Sequence, residues 1–359
     1  MKKYISLIIA LIMTLSLAAC GDSEANGENA NSQTGKNSSG VKFTQIEKGY
    51  ALDTDGRIWS FSLVDDLKLF CDSAKFTYIY ESNGFKCALD ENAGLWTWGQ
   101  NTSGQLGDGT TTASETPKKV LDGVKMVTGN YGNGFAIKTD GSLYQWGNGN
   151  TYMKLREQDS DRDNILTPTL VKTDAKFTYV AAGGSSSACI AIDTNGTRYV
   201  WGAYTSIMGS DETVIPFSLH PAKGDKAPLG TYYFGNGTTY IIDSYNTLYI
   251  SGGKGSRLDP FENTPSFNKY TKAFDKVAMI APSLYGTLYI DTDGNIWGWG
   301  SDAFKICSAT TTPIQITKDI KFTDVTILDS GSVMAYALAE DGNIYTFGEK
   351  NSTPEIVKA

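Results

Sequence analysis

The chain has 359 residues and a formal net charge of −8 at pH 7, from 31 basic and 39 acidic side chains. Nucleic-acid binding needs a basic face that neutralises phosphates, and no cluster of Lys or Arg supplies one here. We therefore expect neither DNA nor RNA as a partner.

Residues 1–19 are predicted to be a signal peptide. Lys2 and Lys3 form a positive end, and the apolar run over about residues 5–17 is shorter than a comfortable membrane span. The sequence LAAC that ends at Cys20 resembles a bacterial lipobox. This resemblance implies that Cys20 is the first mature residue, carries a lipid and holds the protein in the bacterial cell envelope, outside the cytoplasm. The alternative is an ordinary signal peptide with an incidental cysteine.

Residues 20–40 are predicted to be a lipidated, flexible tether. The segment GDSEANGENANSQTGKNSSG (21–40) contains no large apolar side chain, so burial cannot offset the entropy of ordering it. As a random coil of about twenty residues it would reach roughly 25 Å. Such a tether would hold the following domain, residues 41–359, clear of the bilayer.

Seven copies of a hairpin pattern occupy that domain. In each copy apolar and polar residues alternate on both sides of a turn. Turns such as TDG, TNG and EDG favour a residue with left-handed backbone, which Gly adopts freely and Asn tolerates. Spacings between turn residues range from 38 to 55, and this period predicts a closed ring of small sheets. The predicted turn residues are Gly56, Gly94, Gly141, Gly196, Asn246, Gly294 and Gly342.

Two further strands flank the hairpin in most copies. One resembles AKFTYI and precedes the hairpin, and the other follows a proline, as at Pro117 and Pro354. Proline is tolerated on edge strands, so the second kind is expected at a blade edge. The pattern predicts an all-β chain that forms a seven-bladed β-propeller of four-stranded antiparallel blades.

Ring closure can occur in two ways. The strand near residues 41–46 could complete the last blade, or two complete blades could meet face to face. We expect the shared blade, because it would pair backbone groups that otherwise lie on exposed strand edges.

The second copy resembles a known family. WGQNTSGQLGDGTTTASETP (98–117) is similar to the W-G-x-N-x-x-G-Q-L-G-x-G signature of RCC1-type (regulator of chromosome condensation 1) repeats. The other copies keep the hairpin but lose G-Q-L-G. PQQ-type propellers are the second possibility, since their repeats also have an Ala-Leu-Asp hairpin with a Trp. They rank second because they lack G-Q-L-G and the Thr-Pro strand. The chromatin and nucleotide-exchange roles of the best-known RCC1 propeller are not expected, because the export signal and the charge oppose them. No GTPase partner is expected either.

The sequence contains no recognisable catalytic constellation. His220 is the only histidine and lies in SLHPAKGDKAPLG (218–230), which is predicted to be a loop, so a Ser-His-Asp or Cys-His site is not expected. The segment DTDG (53–56) resembles the start of a calcium loop but continues into a strand. Cys87 is predicted to be a small buried apolar residue. We assign no catalytic residue, metal ligand or cofactor.

Connections between the first two strands of each copy are expected to meet at one end of the ring. Phe85, Tyr131 and Tyr285 occur in or beside these connections, and aromatic side chains are typical of interface anchors. We expect these residues to contact a protein partner of the envelope or the extracellular space. A secreted member of the wider RCC1-like group is a β-lactamase inhibitory protein, which implies a cell-wall enzyme as a candidate partner.

The sequence thus favours a surface-tethered lipoprotein with a non-catalytic, protein-binding propeller. The alternative is a glycan-binding or carbohydrate-active propeller with a groove at the channel mouth. A deep cavity with converging acids would favour the alternative, and a shallow face with aromatic residues would favour protein binding.

Overall fold

The computed structural model describes residues 40–62, 67–82, 84–130, 132–149, 163–183, 188–203, 214–221, 230–235, 238–252, 270–300, 306, 310–329, 333–348 and 351–357. These residues belong to one compact unit. The predicted signal peptide, the tether and the lipid on Cys20 lie outside them. In the part of the chain that the structure describes, no helix is long and apolar enough to cross a membrane.

All regular elements among the described residues are β-strands, which form seven four-stranded sheets. In every sheet, strands that follow each other in the chain are hydrogen-bonded neighbours and run antiparallel. This arrangement confirms the predicted all-β, seven-bladed propeller of four-stranded blades. Each blade corresponds to one sequence repeat.

The strand bounds are as follows. Blade 1 contains β1 (Phe43–Glu47), β2 (Tyr50–Asp53), β3 (Ile58–Ser60) and β4 (Lys68–Cys71). Blade 2 contains β5 (Phe76–Ser82), β6 (Phe85–Asp90), β7 (Leu95–Gly99) and β8 (Ser114–Leu121). Blade 3 contains β9 (Val124–Asn130), β10 (Asn133–Lys138), β11 (Leu143–Gly147) and β12 (Ile165–Leu170). Blade 4 contains β13 (Phe177–Ala182), β14 (Ala188–Asp193), β15 (Arg198–Ala203) and β16 (Val214–Pro221). Blade 5 contains β17 (Gly230–Phe234), β18 (Thr238–Asp243), β19 (Leu248–Gly252) and β20 (Thr271–Phe274). Blade 6 contains β21 (Val277–Pro282), β22 (Gly286–Asp291), β23 (Ile296–Gly300) and β24 (Thr310–Gln315). Blade 7 contains β25 (Phe322–Asp329), β26 (Val333–Ala339), β27 (Ile344–Gly348) and β28 (Asn351–Ile356).

The first strand of each blade lies at the centre of the ring. The strands β1, β5, β9, β13, β17, β21 and β25 each contact the first strands of both neighbouring blades. The fourth strands, which include the predicted proline strands β8, β12, β24 and β28, lie at the outer edges of their sheets. The apolar cores lie between the blades, where facing sheets pack on each other.

The ring closes by two complete blades that meet face to face, so the predicted shared blade is wrong. Strand β1 pairs with β2 in blade 1, and β28 already occupies the outer edge of blade 7. Phe43 and Ile46 instead pack against Tyr336 and Leu338 of blade 7. The seam also contains a backbone hydrogen bond of 2.9 Å from the Phe43 N–H to the Gly342 carbonyl.

A hydrogen-bond pattern that recurs within the chain stabilises the hairpin turns. The Asp53 carboxylate accepts the backbone N–H groups of Asp55 and Arg57 at 3.0 and 2.8 Å and the indole N–H of Trp59 at 2.8 Å. The same pattern recurs at Asp291, whose carboxylate accepts the indole N–H of Trp297 at 2.8 Å. These carboxylates therefore serve the turn, as expected for DTDG.

Three residues after the aspartate the backbone is left-handed. Gly56 has a φ of 81° and Asn246 a φ of 60°, which confirms Asn246 as the substitute in the fifth copy. In the second copy the prediction of Gly94 is wrong, because Ala93 takes this position with a φ of 62°. The hydrogen bond from the Ala93 N–H to the Asp90 carbonyl, 3.0 Å, holds that strained residue in place.

The G-Q-L-G segment lies in the connection between β7 and β8 of blade 2, which also contacts blade 3. Asn101 is fully buried, and its amide donates to the carbonyls of Thr110 and Thr112, each at 3.0 Å. The carbonyl of Gln105 accepts the indole N–H of Trp146 in blade 3 at 2.8 Å. The signature therefore fixes its own loop and fastens that loop to the next blade.

The carboxylate at the turn provides a first test of the fold. Replacing Asp90 by Ala leaves the Gly94 N–H and the Trp96 indole N–H without their acceptor, so the free energy of unfolding is expected to fall by about 2–3 kcal/mol. The control is Asp140→Ala, since the Asp140 side chain is 65% exposed, accepts only the backbone N–H and hydroxyl of Ser142, and lies 3.9 Å from the exposed Lys176 Nζ. The control is expected to cost less than about 1 kcal/mol. Denaturant unfolding measures both, and equal losses would contradict the assigned role of Asp90.

The seam between blades 7 and 1 gives the stability a pH dependence. Burial raises the pKa of Asp324 to about 7, and burial followed by the nearby Asp324 carboxyl raises the pKa of Glu47. A raised carboxyl pKa contributes stability that is complete in acid and is lost as the pH rises through the folded pKa. The melting temperature is therefore expected to fall between about pH 4, near the pKa of an unfolded aspartate, and about pH 7, the pKa of Asp324 in the fold.

Asp324→Asn should weaken this fall, because the Asn amide oxygen still accepts the Ile46 N–H but does not ionise. The expected change is up to about 4 kcal/mol across the window, since the pKa rises from 3.8 to about 7 and one pKa unit corresponds to about 1.4 kcal/mol. Asp174→Asn is the matched control at an exposed position. A pH dependence that is the same in both variants would refute the role of Asp324.

Candidate protein-binding face

The two ends of the propeller differ in the connections that they carry. Because the strands of each blade are antiparallel, the first-to-second and third-to-fourth connections emerge at one end, which we call the loop face. The second-to-third turns and the connections between blades lie at the opposite end, the turn face. Binding residues of repeat proteins concentrate on such connections, because a rigid scaffold positions them.

An exposed aromatic and aliphatic pair lies on the loop face between β21 and β22. Leu284 is 49% exposed and Tyr285 is 37% exposed. Ser283 is buried and fixes this tight connection: its hydroxyl donates to the Gly286 carbonyl at 2.9 Å and accepts the Gly286 N–H at 3.2 Å. The backbone is thus held while the two large side chains stay at the surface. Partner contact through Tyr285 remains a prediction.

Phe85 does not belong to the exposed surface, and the prediction of it as a partner contact is wrong. It is 1% exposed and packs against Trp146 of blade 3 with ring centroids 6.0 Å apart. Phe85, Cys87 and Leu89 alternate along β6 and all lie in the core between blades 2 and 3. The alternation in the sequence FKCALD is the signal that could have assigned Phe85 to the strand rather than to the loop.

Two other predictions have different outcomes. Tyr131 lies outside the described residues, so its predicted role remains a prediction. His220 lies in β16, where its backbone pairs with Val200, and the predicted loop around it is wrong. The sequence SLHP did not indicate a strand because it lacks the Thr-Pro signal.

The centre of the ring contains tyrosines and carboxyl groups. Burial, followed by the nearby Glu47 carboxyl, raises the pKa of Tyr78. Burial likewise raises the pKa of Tyr233, with smaller effects from Asp324 and Glu47. The phenols therefore stay protonated at neutral pH.

The described cysteines are free thiols. Cys87 and Cys189 are fully buried, and burial raises the pKa of both thiols. Cys87 is thus the small buried residue that the sequence predicted. Among the described residues, no three His, Cys, Asp or Glu side chains come together as metal ligands would.

An open pocket of about 300 Å³ also lies on the loop face, at the seam of blades 1 and 2. Three lysines line it together with hydroxyl groups and two aromatic side chains. Its lining differs from the converging acids that a carbohydrate-active groove would need. The lining residues are Lys48, Gly49, Tyr50, Ser60, Phe61, Ser62, Lys68 and Lys86.

Comparison with known sequences identifies the repeat. The family model described as "Regulator of chromosome condensation (RCC1) repeat" matches residues 92–137. The Arabidopsis thaliana "RCC1 domain-containing protein RUG3, mitochondrial" is 32% identical over 123 residues, which are 33% of this chain and 27% of that protein. The "Ultraviolet-B receptor UVR8" of the same plant is 23% identical over 297 residues, which are 77% of this chain and 63% of that protein. This chain therefore spans less than two thirds of both relatives.

Comparison with solved structures gives the same architecture. Prp20p of Saccharomyces cerevisiae, whose structure was studied with its binding to Gsp1p and histones, has a TM-score of 0.65 and 18% identity. The alignment covers 82% of this chain and 80% of Prp20p. Human WBSCR16 has a TM-score of 0.64 at 14% identity and covers 82% of this chain. At these identities the likeness shows the fold alone.

The different positions of Phe85 and Tyr285 can be tested by their stability effects. Phe85→Ala removes a buried ring from the core of blades 2 and 3 and is expected to lower the free energy of unfolding by about 3–5 kcal/mol. Tyr285→Ala removes a partly exposed ring on the loop face and is expected to cost less than about 1 kcal/mol. Denaturant unfolding of both variants checks this difference. A loss for Tyr285→Ala as large as that for Phe85→Ala would place Tyr285 in the core.

Proposed function

This chain is an RCC1-like β-propeller, and we propose that it acts as a non-catalytic protein-binding module of the bacterial cell envelope. In this proposal the mature protein is anchored outside the cytoplasm by a lipid on Cys20, and residues 20–40 form the tether. The observation that carries the binding role is the exposed pair Leu284 and Tyr285, held on the loop face of a closed ring. Large apolar side chains on a rigid connection suit a protein interface, because little entropy is lost when they are buried.

The fold supports binding to proteins rather than one particular partner. Prp20p, a solved propeller of this architecture, was studied with the protein partners Gsp1p and histones. Those partners are not transferred to this chain, since its net charge of −8 and its predicted export oppose them. A shared fold permits many functions, so the site has to supply the argument.

We propose a cell-wall enzyme as the class of partner, with a penicillin-binding protein or a β-lactamase as the candidates. This proposal rests on the predicted location and on the resemblance to a β-lactamase inhibitory protein. A tether of about twenty residues would allow the loop face to reach envelope proteins within roughly 25 Å of the anchor.

The proposal is tested by affinity capture. The full chain, purified in detergent, is used as bait in a detergent extract of the host envelope, and captured proteins are identified by mass spectrometry. The double variant Leu284→Ala, Tyr285→Ala is expected to lose about tenfold or more of the captured enzyme, because central interface residues contribute about 2 kcal/mol each.

The control is the double variant Leu170→Ala, Tyr245→Ala. It removes the same two residue types from exposed positions on the turn face: Leu170, 50% exposed, ends β12, and Tyr245, 85% exposed, lies in the turn between β18 and β19. Capture that is equal in both double variants, or lost only in the control, would contradict the loop face as the binding surface. Capture of a cell-wall enzyme by the wild type and the control alone would support both the role and the face.

A further inference from the structure

The pocket between blades 1 and 2 is built by adjacent strands. Tyr50 of β2 pairs directly with Ser60 of β3, and Ser60 pairs directly with Lys68 of β4. Directly paired residues project to the same side of a sheet, so a phenol, a hydroxyl and an ammonium group lie side by side. This side of blade 1 faces blade 2, because Tyr50 packs in the core that both blades share.

Blade 2 contributes Lys86 from the opposite wall. Its Nζ lies 3.3 Å from the Tyr50 hydroxyl and 5.3 Å from the centre of the Tyr50 ring. The Tyr50 ring is itself fixed by edge contacts with Phe70 and Trp98, at 5.2 and 5.4 Å between centroids. The Lys86 ammonium is thus positioned over a rigid aromatic floor.

Contacts also fix the backbone at the rim of the pocket next to Lys48. The carbonyl of Gly49 accepts the Phe61 N–H at 3.0 Å. Phe61 is buried and packs against Tyr336 of blade 7 with centroids 4.5 Å apart. Gly49 has a φ of 79°, which a residue with a side chain rarely adopts. The β1–β2 connection therefore presents Lys48 at a defined place beside the pocket.

The charge of this pocket is opposite to that of the whole protein. Three ammonium groups line a volume of about 300 Å³, in a chain whose net charge is −8. None of the ion pairs found between described residues involves Lys48 or Lys86. Lys48 and Lys86 carry like charges into one pocket, and an anion bound there would reduce their repulsion.

We propose that this pocket binds a carboxylate side chain from an acidic segment of the partner protein. The inference rests on the proposed protein-binding function and names the chemistry of the partner at this part of the loop face. The lysines supply charge, the hydroxyls of Tyr50 and Ser60 donate hydrogen bonds to carboxylate oxygens, and the aromatic floor packs against side-chain methylenes. The volume lies at the lower end of ligand pockets, which suits one or two side chains better than an extended polymer.

A direct binding measurement tests the proposal without knowledge of the partner. Fluorescein-labelled hexaglutamate peptide is titrated with the full chain at low salt, and fluorescence anisotropy is recorded. Hexaglutamate is expected to bind measurably, hexaglutamine is not, and added salt should weaken binding. The double variant Lys48→Gln, Lys86→Gln is expected to bind at least about fivefold more weakly, as two solvent-accessible charge pairs would predict.

The matched control is Lys125→Gln, Lys318→Gln, which removes the same charge from exposed positions outside the pocket. It should change the affinity less than about twofold. Equal binding by both double variants would overturn the pocket as the site. A phosphoserine peptide that binds where hexaglutamate does not would overturn the carboxylate as the ligand class. Thermal melts of both variants confirm that they are folded.

The outcome is separable from that of the proposed function. If the envelope enzyme is captured through Leu284 and Tyr285 but hexaglutamate does not bind, this inference fails and the binding module remains. If hexaglutamate binds in a Lys48- and Lys86-dependent manner but no envelope protein is captured, the pocket is supported and the proposed partner class fails.

Discussion

Each blade has two sheet faces with apolar side chains, and only the neighbouring blades can cover both of them. The whole structure therefore depends on closing the ring, since an open ring would expose one face of blade 1 and one face of blade 7. No strand is exchanged between these two blades. Closure depends instead on side-chain packing, with Phe43 and Ile46 of β1 against Tyr336 and Leu338 of β26, and on a few hydrogen bonds near the centre.

These central hydrogen bonds share one geometry: a side chain on the first strand of one blade accepts a backbone N–H from the first strand of its neighbour. Gln45 of blade 1 accepts the Ile79 N–H of blade 2 at 3.0 Å, and the Tyr179 hydroxyl of blade 4 accepts the Tyr232 N–H of blade 5 at 2.8 Å. At the closing seam the Asp324 carboxylate accepts the Ile46 N–H at 3.1 Å. An amide, a phenol and a carboxylate thus link the backbones of successive blades. Of the three, the carboxylate titrates nearest neutral pH, so the seam that closes the ring is the one that responds to pH.

Local sequence patterns predicted the hairpins and most strands of the blades. Features that depend on pairing between distant segments were predicted less well. The turn aspartates and the proline strands depend on a few neighbouring residues, so the sequence LDTDGRIWSF was sufficient to predict its hairpin. Strands β4, β17 and β20 carry neither a proline nor the AKFTYI pattern and were not predicted. Ring closure was predicted wrongly because both pairings satisfy the same local preferences. Phe85 was assigned to a loop because a strand boundary is uncertain by several residues without its partner strand.

The turn face and the loop face differ in how strongly the repeat constrains their residues. On the turn face, the aspartate carboxylates and backbone groups satisfy each other within the hairpin, as at Asp53 and Asp291, which leaves little freedom for variation. On the loop face, the repeat does not specify which residues connect the strands. Blade 6 there presents Leu284 and Tyr285 over a connection fixed by Ser283, while blades 1 and 2 present lysines. Under the two proposals, the apolar and cationic groups held on this rigid ring would select a partner with an apolar patch and an acidic segment.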